Sequence, residues 1–170
     1  MKIVVLKFGG TSVGTIEKIK KVTDIIIEHK KKKNKVIVVS SAMSGVTNDL
    51  IKKSKQISNN FIDSEYDVLV SSGEQVACSL IAGRLNHKGF KSRSWLGWQI
   101  PIFTSGPYTN SRIQQVNKNK LLRFLKEGGI PIITGFQGVN MNERVTTIGR
   151  GGSDASAIMF AKSFKAQRCI

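Results

Sequence analysis

The sequence predicts an α/β fold in which a mainly parallel sheet is covered by helices on both faces. Short, largely β-branched runs at Ile3 to Phe8, Val36 to Val39 and Ile130 to Thr134 carry no polar alternation, as expected for strands buried on both sides. The first two runs close on small-residue turns, Gly9-Gly10 and Ser40-Ser41, and each is followed by a helical segment. Strand, turn and helix in that alternation describe βαβ crossovers. A length of 170 residues with 40% apolar content suits one domain with its own core.

The remaining elements follow from periodicity. Ile16, Ile19, Val22, Ile25 and Ile26 recur at helical spacing, and a second helix is expected from about Thr47 to Ile57. The polar stretch Asn59 to Asp67 reads as a loop. Leu69, Gly73, Val76 and Leu80 then step by three or four, which predicts a helix to about Asn86 with a glycine inside it. Such a glycine costs about 1 kcal/mol against alanine, so something must approach the backbone closely there. The other reading is a short strand from Val68 to Val70 followed by a Ser71/Glu74 capping box. Lys91 to Trp95 and Ile100 to Thr104 read as short strands, Lys118 to Lys126 as a helix and Phe136 to Thr147 as a hairpin. Ser153 opens a helix reaching about Lys165. Cys169-Ile170 falls where the next strand would begin, so the domain spanning 1–170 is expected to be incomplete at its carboxyl end.

The charge balance is unusual: 27 Lys and Arg against 11 Asp and Glu, a net charge of +16. A nucleic acid would be the first partner to consider. Much of the excess, however, is lysine on the polar side of helices, as in Lys18, Lys20, Lys21 and Lys30 to Lys33. No aromatic residue lies between Phe8 and Phe61 to interleave with it. Nucleic acid is therefore not the expected partner. No apolar run approaches the roughly 20 residues of a membrane span, and Ile3 to Leu6 is too short for a signal-peptide core, so a cytoplasmic location is expected. Cys78 and Cys169 have no neighbours at metal-ligand spacing, and no residue is assigned to a metal.

Three segments carry chemistry. Lys7-Phe8-Gly9-Gly10-Thr11-Ser12 follows the first strand, and paired glycines beside a lysine can admit an oxyanion to backbone N–H groups; a plain tight turn is the other reading. Walker spacing fails, because Thr15 and Ile16 stand where Lys and Ser/Thr are required. Ser40 to Asn48 packs hydroxyls and a glycine ahead of a helix, a pattern that suits anion binding or ordinary capping. Thr146 to Ser156 surrounds Arg150 with Gly149, Gly151 and Gly152, which offers a carboxylate a fork-shaped donor, while Ser153 can cap the helix that follows. Asp154 suits a helix start; beside a phosphate it would need to hold Lys7 or Mg²⁺. Turns at Lys7, Ser40 and Thr134 all fall at strand carboxyl ends, where parallel sheets bind ligands.

KFGGTS at Lys7 to Ser12, SAMSGVTN at Ser41 to Asn48, SGEQV at Ser72 to Val76, GFQGVN at Gly135 to Asn140 and TTIGRGGSDASA at Thr146 to Ala157 occur in this order. Together they resemble the aspartokinase branch of the amino-acid kinase family, over essentially the whole chain. The resemblance implies a three-layer αβα sandwich that transfers the γ-phosphoryl group of ATP, with Mg²⁺, to the β-carboxylate of L-aspartate. The product would be 4-phospho-L-aspartate, on the way to lysine, threonine and methionine. Lys7 would stabilise the transferring phosphoryl group and Asp154 would orient Lys7. Phe8, Gly9, Gly10 and Ser12 would belong to the phosphate loop, with Gly9 and Gly10 donating backbone N–H groups. For aspartate, Arg150 would hold the α-carboxylate, Glu74 the amino group, and Thr47 and Ser41 the reacting end, with Gly151, Gly152 and Ser153 in the same pocket. A homo-oligomer is implied for the full-length protein. Family members continue with a strand and an Asp/Gly-rich loop that help hold the nucleotide, and many add ACT domains; neither is present here, so these 170 residues alone are expected to have little kinase activity. Another kinase of the same family, or a basic nucleic-acid-binding module, is the competing reading.

Overall fold

The computed structural model describes residues 2–170. Its elements run β1 (Ile3–Phe8), α1 (Ile16–Lys31), β2 (Lys35–Ser40), α2 (Val46–Ile57), α3 (Asp63–His87), β3 (Ser92–Trp95), β4 (Ile102–Ser105), β5 (Arg112–Val116), α4 (Asn119–Lys126), β6 (Ile130–Thr134), β7 (Gln137–Val139), β8 (Val145–Thr147), α5 (Gly152–Ser163) and β9 (Arg168–Cys169).

Five strands form one parallel sheet in the order β3-β6-β2-β1-β9. Alternate residues of its central strands enter two separate cores, as the pleat requires. Val4, Leu6, Val36 and Val38 pack with Ile19, Val22 and Ile26 of α1 and Ile81 and Leu85 of α3. Ile3, Val5, Ile37 and Val39 pack on the other face with Leu121 and Leu125 of α4 and Phe160 of α5. The αβα sandwich is thus formed, and burial on both faces explains the unbroken apolar runs. Among the described residues no helix is long and apolar enough to cross a membrane.

The register sets up the site. Phe8 pairs with Ser40, and Ser40 with Thr134, so β1, β2 and β6 end at one level and their turns lie side by side. A smaller sheet, β5-β4-β7-β8, stands apart from the main one. Its β7–β8 hairpin corresponds to the expected Phe136 to Thr147 hairpin. Strand β5 was not expected, because Arg-Ile-Gln-Gln-Val shows no apolar alternation; its antiparallel pairing with β4 makes it a strand.

Helix α3 corrects two expectations. It begins at Asp63, within the stretch read as a loop, with Asp63 and Glu65 in its first turn where the helix dipole favours them. That continuous helix also excludes the Val68 to Val70 strand and its capping box. Its buried stripe is Val70, Gly73, Ala77, Cys78, Ile81 and Leu85, one step round from the predicted face, and Val76 and Leu80 are exposed. Both stripes have helical spacing, and the one with smaller residues lets α3 lie close to its neighbours. At Gly73 the close approach is real: a Cβ there would stand 2.9 Å from Ala42 Cβ and 3.2 Å from Val46 Cγ1.

Part of the lysine excess is structural. Lys30 Nζ donates to Gly128 O and Lys35 Nζ to Leu125 O, both at 2.8 Å, around the carboxyl end of α4. Cations there offset the negative end of the helix dipole.

Candidate active site

Two helices start beside the turns that end β1, β2 and β6, and both start on glycine. Gly45 precedes α2 with φ 86° and Gly151 precedes α5 with φ 74°, and neither helix has a side-chain cap. A residue with a Cβ is disfavoured at such positive φ, and without a cap the N–H groups of Thr47, Asn48 and Ser153 have no acceptor among the described residues and can meet an anion. This overturns the expectation that Ser153 caps its helix. Ser153 is the second residue of α5, and its Oγ accepts a 2.8 Å hydrogen bond from Ser41 Oγ, which ties the start of α5 to the end of β2.

These helix starts border a cleft of about 620 Å³. Gly10 comes to its wall from the β1 turn, and Ser41 and Thr47 from the β2 turn and α2. Glu74 reaches it from α3, while Arg150, Gly151, Gly152 and Ser153 close it from the loop before α5. Four segments that are distant in sequence therefore converge on one cavity. Lys7, Phe8, Gly9 and Ser12 do not line it. Lys7 Nζ instead pairs with Asp154 Oδ1 at 2.7 Å, next to Ser153. Of the two partners open to Asp154 on sequence grounds, lysine is the one observed. The Phe8 side chain is buried in the α1/α3 core, so only its backbone could meet a ligand. Gly9 O accepts from Ser12 N and Val13 N, while the Gly10 and Thr11 N–H groups have no acceptor among the described residues.

Glu74 is the unusual group in the cleft. It is 3% exposed; its Oε1 accepts from Ala42 N at 3.1 Å, and its Oε2 is buried with no hydrogen-bond partner among the described residues. Burial is the larger influence and raises the carboxyl to about 7, against the opposing hydrogen bond from Ala42. Arg150 is exposed and makes no ion pair among the described residues. A buried acceptor without a donor, an exposed guanidinium without an ion pair and two helix starts without side-chain caps thus border one cleft, an arrangement able to hold a small molecule bearing one cation and more than one carboxylate.

Sequence reasoning missed two residues here. Asp67, placed in a loop, is fully buried in α3 and accepts from Thr109 N, Thr147 N and Thr147 Oγ1. It holds the β8 end from which the Arg150 loop departs. Phe136 lines the cleft with φ 67°, a conformation that is rare for a bulky residue and tends to mark functional sites. Its place inside GFQGVN was the one available signal.

Fold and cleft define an α/β protein with a crevice at its strand carboxyl ends, the place where parallel sheets bind ligands. More narrowly, the chain belongs to the amino acid kinase family, whose model matches residues 2–170. It is 47% identical over 169 residues to an aspartokinase of Geobacillus stearothermophilus, covering 99% of this chain and 42% of that relative. The chain thus spans less than half the length of the curated relatives it matches. Among solved structures, Synechocystis aspartate kinase superposes with a TM-score of 0.83 at 37% identity, over 98% of this chain and 27% of that one. Aspartokinase III of E. coli, solved with aspartate and ADP, gives 0.86 at 24% identity, over 99% of this chain and 48% of that one, and so supports the fold alone.

Proposed function

We propose that this chain carries the acceptor site and the phosphoryl-facing residues of an aspartate kinase, which transfers the γ-phosphoryl group of ATP to the β-carboxylate of L-aspartate. The observation that carries the reading is the bare, buried Oε2 of Glu74 in the same cleft as Arg150. In this reading the substrate ammonium sits at Glu74, its α-carboxylate on Arg150, and its β-carboxylate near Ser41 and Thr47. Aspartate is already ionised at neutral pH and needs no general base, so positioning and charge neutralisation carry the catalysis. Lys7 offsets the charge that moves during transfer, Asp154 holds the Lys7 ammonium, and the Gly9 and Gly10 turn meets the phosphates. The match to the Geobacillus stearothermophilus aspartokinase supports this assignment of substrate.

Among the described residues no cluster of His, Cys, Asp or Glu could hold a metal ion. Mg²⁺ is therefore proposed only as the companion of the nucleotide phosphates. The adenine end of ATP is proposed to need residues corresponding to the rest of the relatives' kinase domain. Homo-oligomeric assembly and a cytoplasmic location are proposed on the family resemblance.

The test joins this chain to the carboxyl-terminal remainder of the Geobacillus stearothermophilus relative and traps acyl phosphate with hydroxylamine. Aspartate is expected to outperform glutamate and N-acetylglutamate. Lys7→Ala should lower kcat on the order of a hundredfold with little change in aspartate KM. Preference for another acceptor would overturn the assignment.

A further inference from the structure

Both tryptophans of the chain, Trp95 and Trp98, line a second cleft of about 530 Å³ between β3, the turn after it and α4. It shares no residue with the first cleft. Trp95 is 5% exposed, meets Phe124 edge-on at 5.7 Å, and carries the Arg93 guanidinium 4.1 Å above its ring. Its indole N–H is buried without an acceptor among the described residues. Trp98 is 53% exposed. Its open aromatic face shares the cleft with cationic side chains.

The charge is one-sided. Arg93, Lys120 and Arg123 border the cleft, and the sole carboxylate on its wall, Glu127, is held by Lys91 at 2.6 Å. Arg93 and Arg123 make no ion pair among the described residues, and Lys120 spends one bond on Gln99 O at 3.0 Å. Basic and aromatic residues, separated in the first third of the sequence, are interleaved here between Lys91 and Phe124. An open ring beside unpaired guanidinium groups suits a flat ring system that carries a phosphate. The volume lies within the range of small-ligand sites.

We propose that this cleft binds a nucleoside monophosphate, its base stacked on Trp98 and its phosphate held by Arg93, Lys120 and Arg123. The site is independent of the kinase reading.

Because both tryptophans lie in it, intrinsic fluorescence reports on this cleft. The chain is titrated at constant ionic strength with AMP and, in separate arms, with adenosine, inorganic phosphate and an octathymidylate strand. AMP should quench saturably and bind more tightly than adenosine or phosphate. By calorimetry, Trp98→Ala and Arg123→Ala should each weaken AMP on the order of tenfold, while Trp98→Phe should stay within roughly threefold of the parent. Lys7→Ala and Arg150→Ala should leave the AMP titration unchanged, which separates this site from the first cleft. Absence of AMP binding, phosphate binding as tight as AMP, loss of the signal in Lys7→Ala, or a response to the octathymidylate strand alone would each overturn the proposal.

Discussion

Asp67 and Glu74 lie seven residues apart on α3, two turns along one face, and both are buried, yet the structure treats them in opposite ways. Asp67 has its oxygens filled: Thr147 N at 2.8 Å, Thr147 Oγ1 at 2.7 Å and Thr109 N at 3.0 Å. Glu74 has one donor and one bare oxygen. Burial raises the carboxyl of each, but at Asp67 the donations from Thr109 and Thr147 act against it. A carboxylate saturated by its own chain fastens the fold. One left half empty beside a cavity keeps an acceptor that its own chain does not use.

Removing the saturated carboxylate should cost the most stability. Asp67→Ala strands three donors, two of them buried, and should destabilise the chain by about 3–5 kcal/mol in urea unfolding. A loss under about 1 kcal/mol would mean that the three bonds do not anchor the β8 end.

The half-empty member should respond with the opposite sign. Its folded value of about 7 lies above the ordinary 4.5, so the folded state holds the proton more tightly between those values. Stability is therefore lost as pH rises from 4.5 to 7 and stays lost above. Glu74→Gln removes that dependence and should be more stable than the parent by about 2–3 kcal/mol at pH 8, the gap closing towards pH 4.5. A destabilised variant at pH 8 would show that the bare oxygen carries no penalty.

The smallest change trims one donor from the saturated carboxylate. Thr147→Val removes the hydroxyl but keeps the backbone N–H, and should cost about 1 kcal/mol of stability. A cost as large as that of Asp67→Ala would mean that the hydroxyl alone carries the anchor.

The same two residues mark what could be read from sequence. Glu74 was legible because it falls within a motif, SGEQV, and the Lys7–Asp154 pair because a carboxylate near a phosphate needs a cation. Asp67 was not legible. Its partners Thr109 and Thr147 lie 42 and 80 residues away, so no local pattern marks it, and its polar surroundings suggested a loop. The parallel sheet was legible because burial on both faces writes itself as unbroken apolar runs. Strand β5 was hidden, since its polar sequence is made a strand by pairing with β4. The exposed face of α3 was misjudged because two stripes share helical spacing and only packing against Ala42 and Val46 selects one.

Whether the bare oxygen of Glu74 receives a substrate ammonium is decided by measuring aspartate affinity calorimetrically from pH 5 to 8.5 in the parent and in Glu74→Gln. The parent should lose affinity as pH falls below 7, approaching tenfold per pH unit, because the carboxylate must be ionised to meet the ammonium. Glu74→Gln should bind weakly at every pH, without that slope. Two curves of equal slope, or full affinity in the variant, would mean that Glu74 does not receive the ammonium.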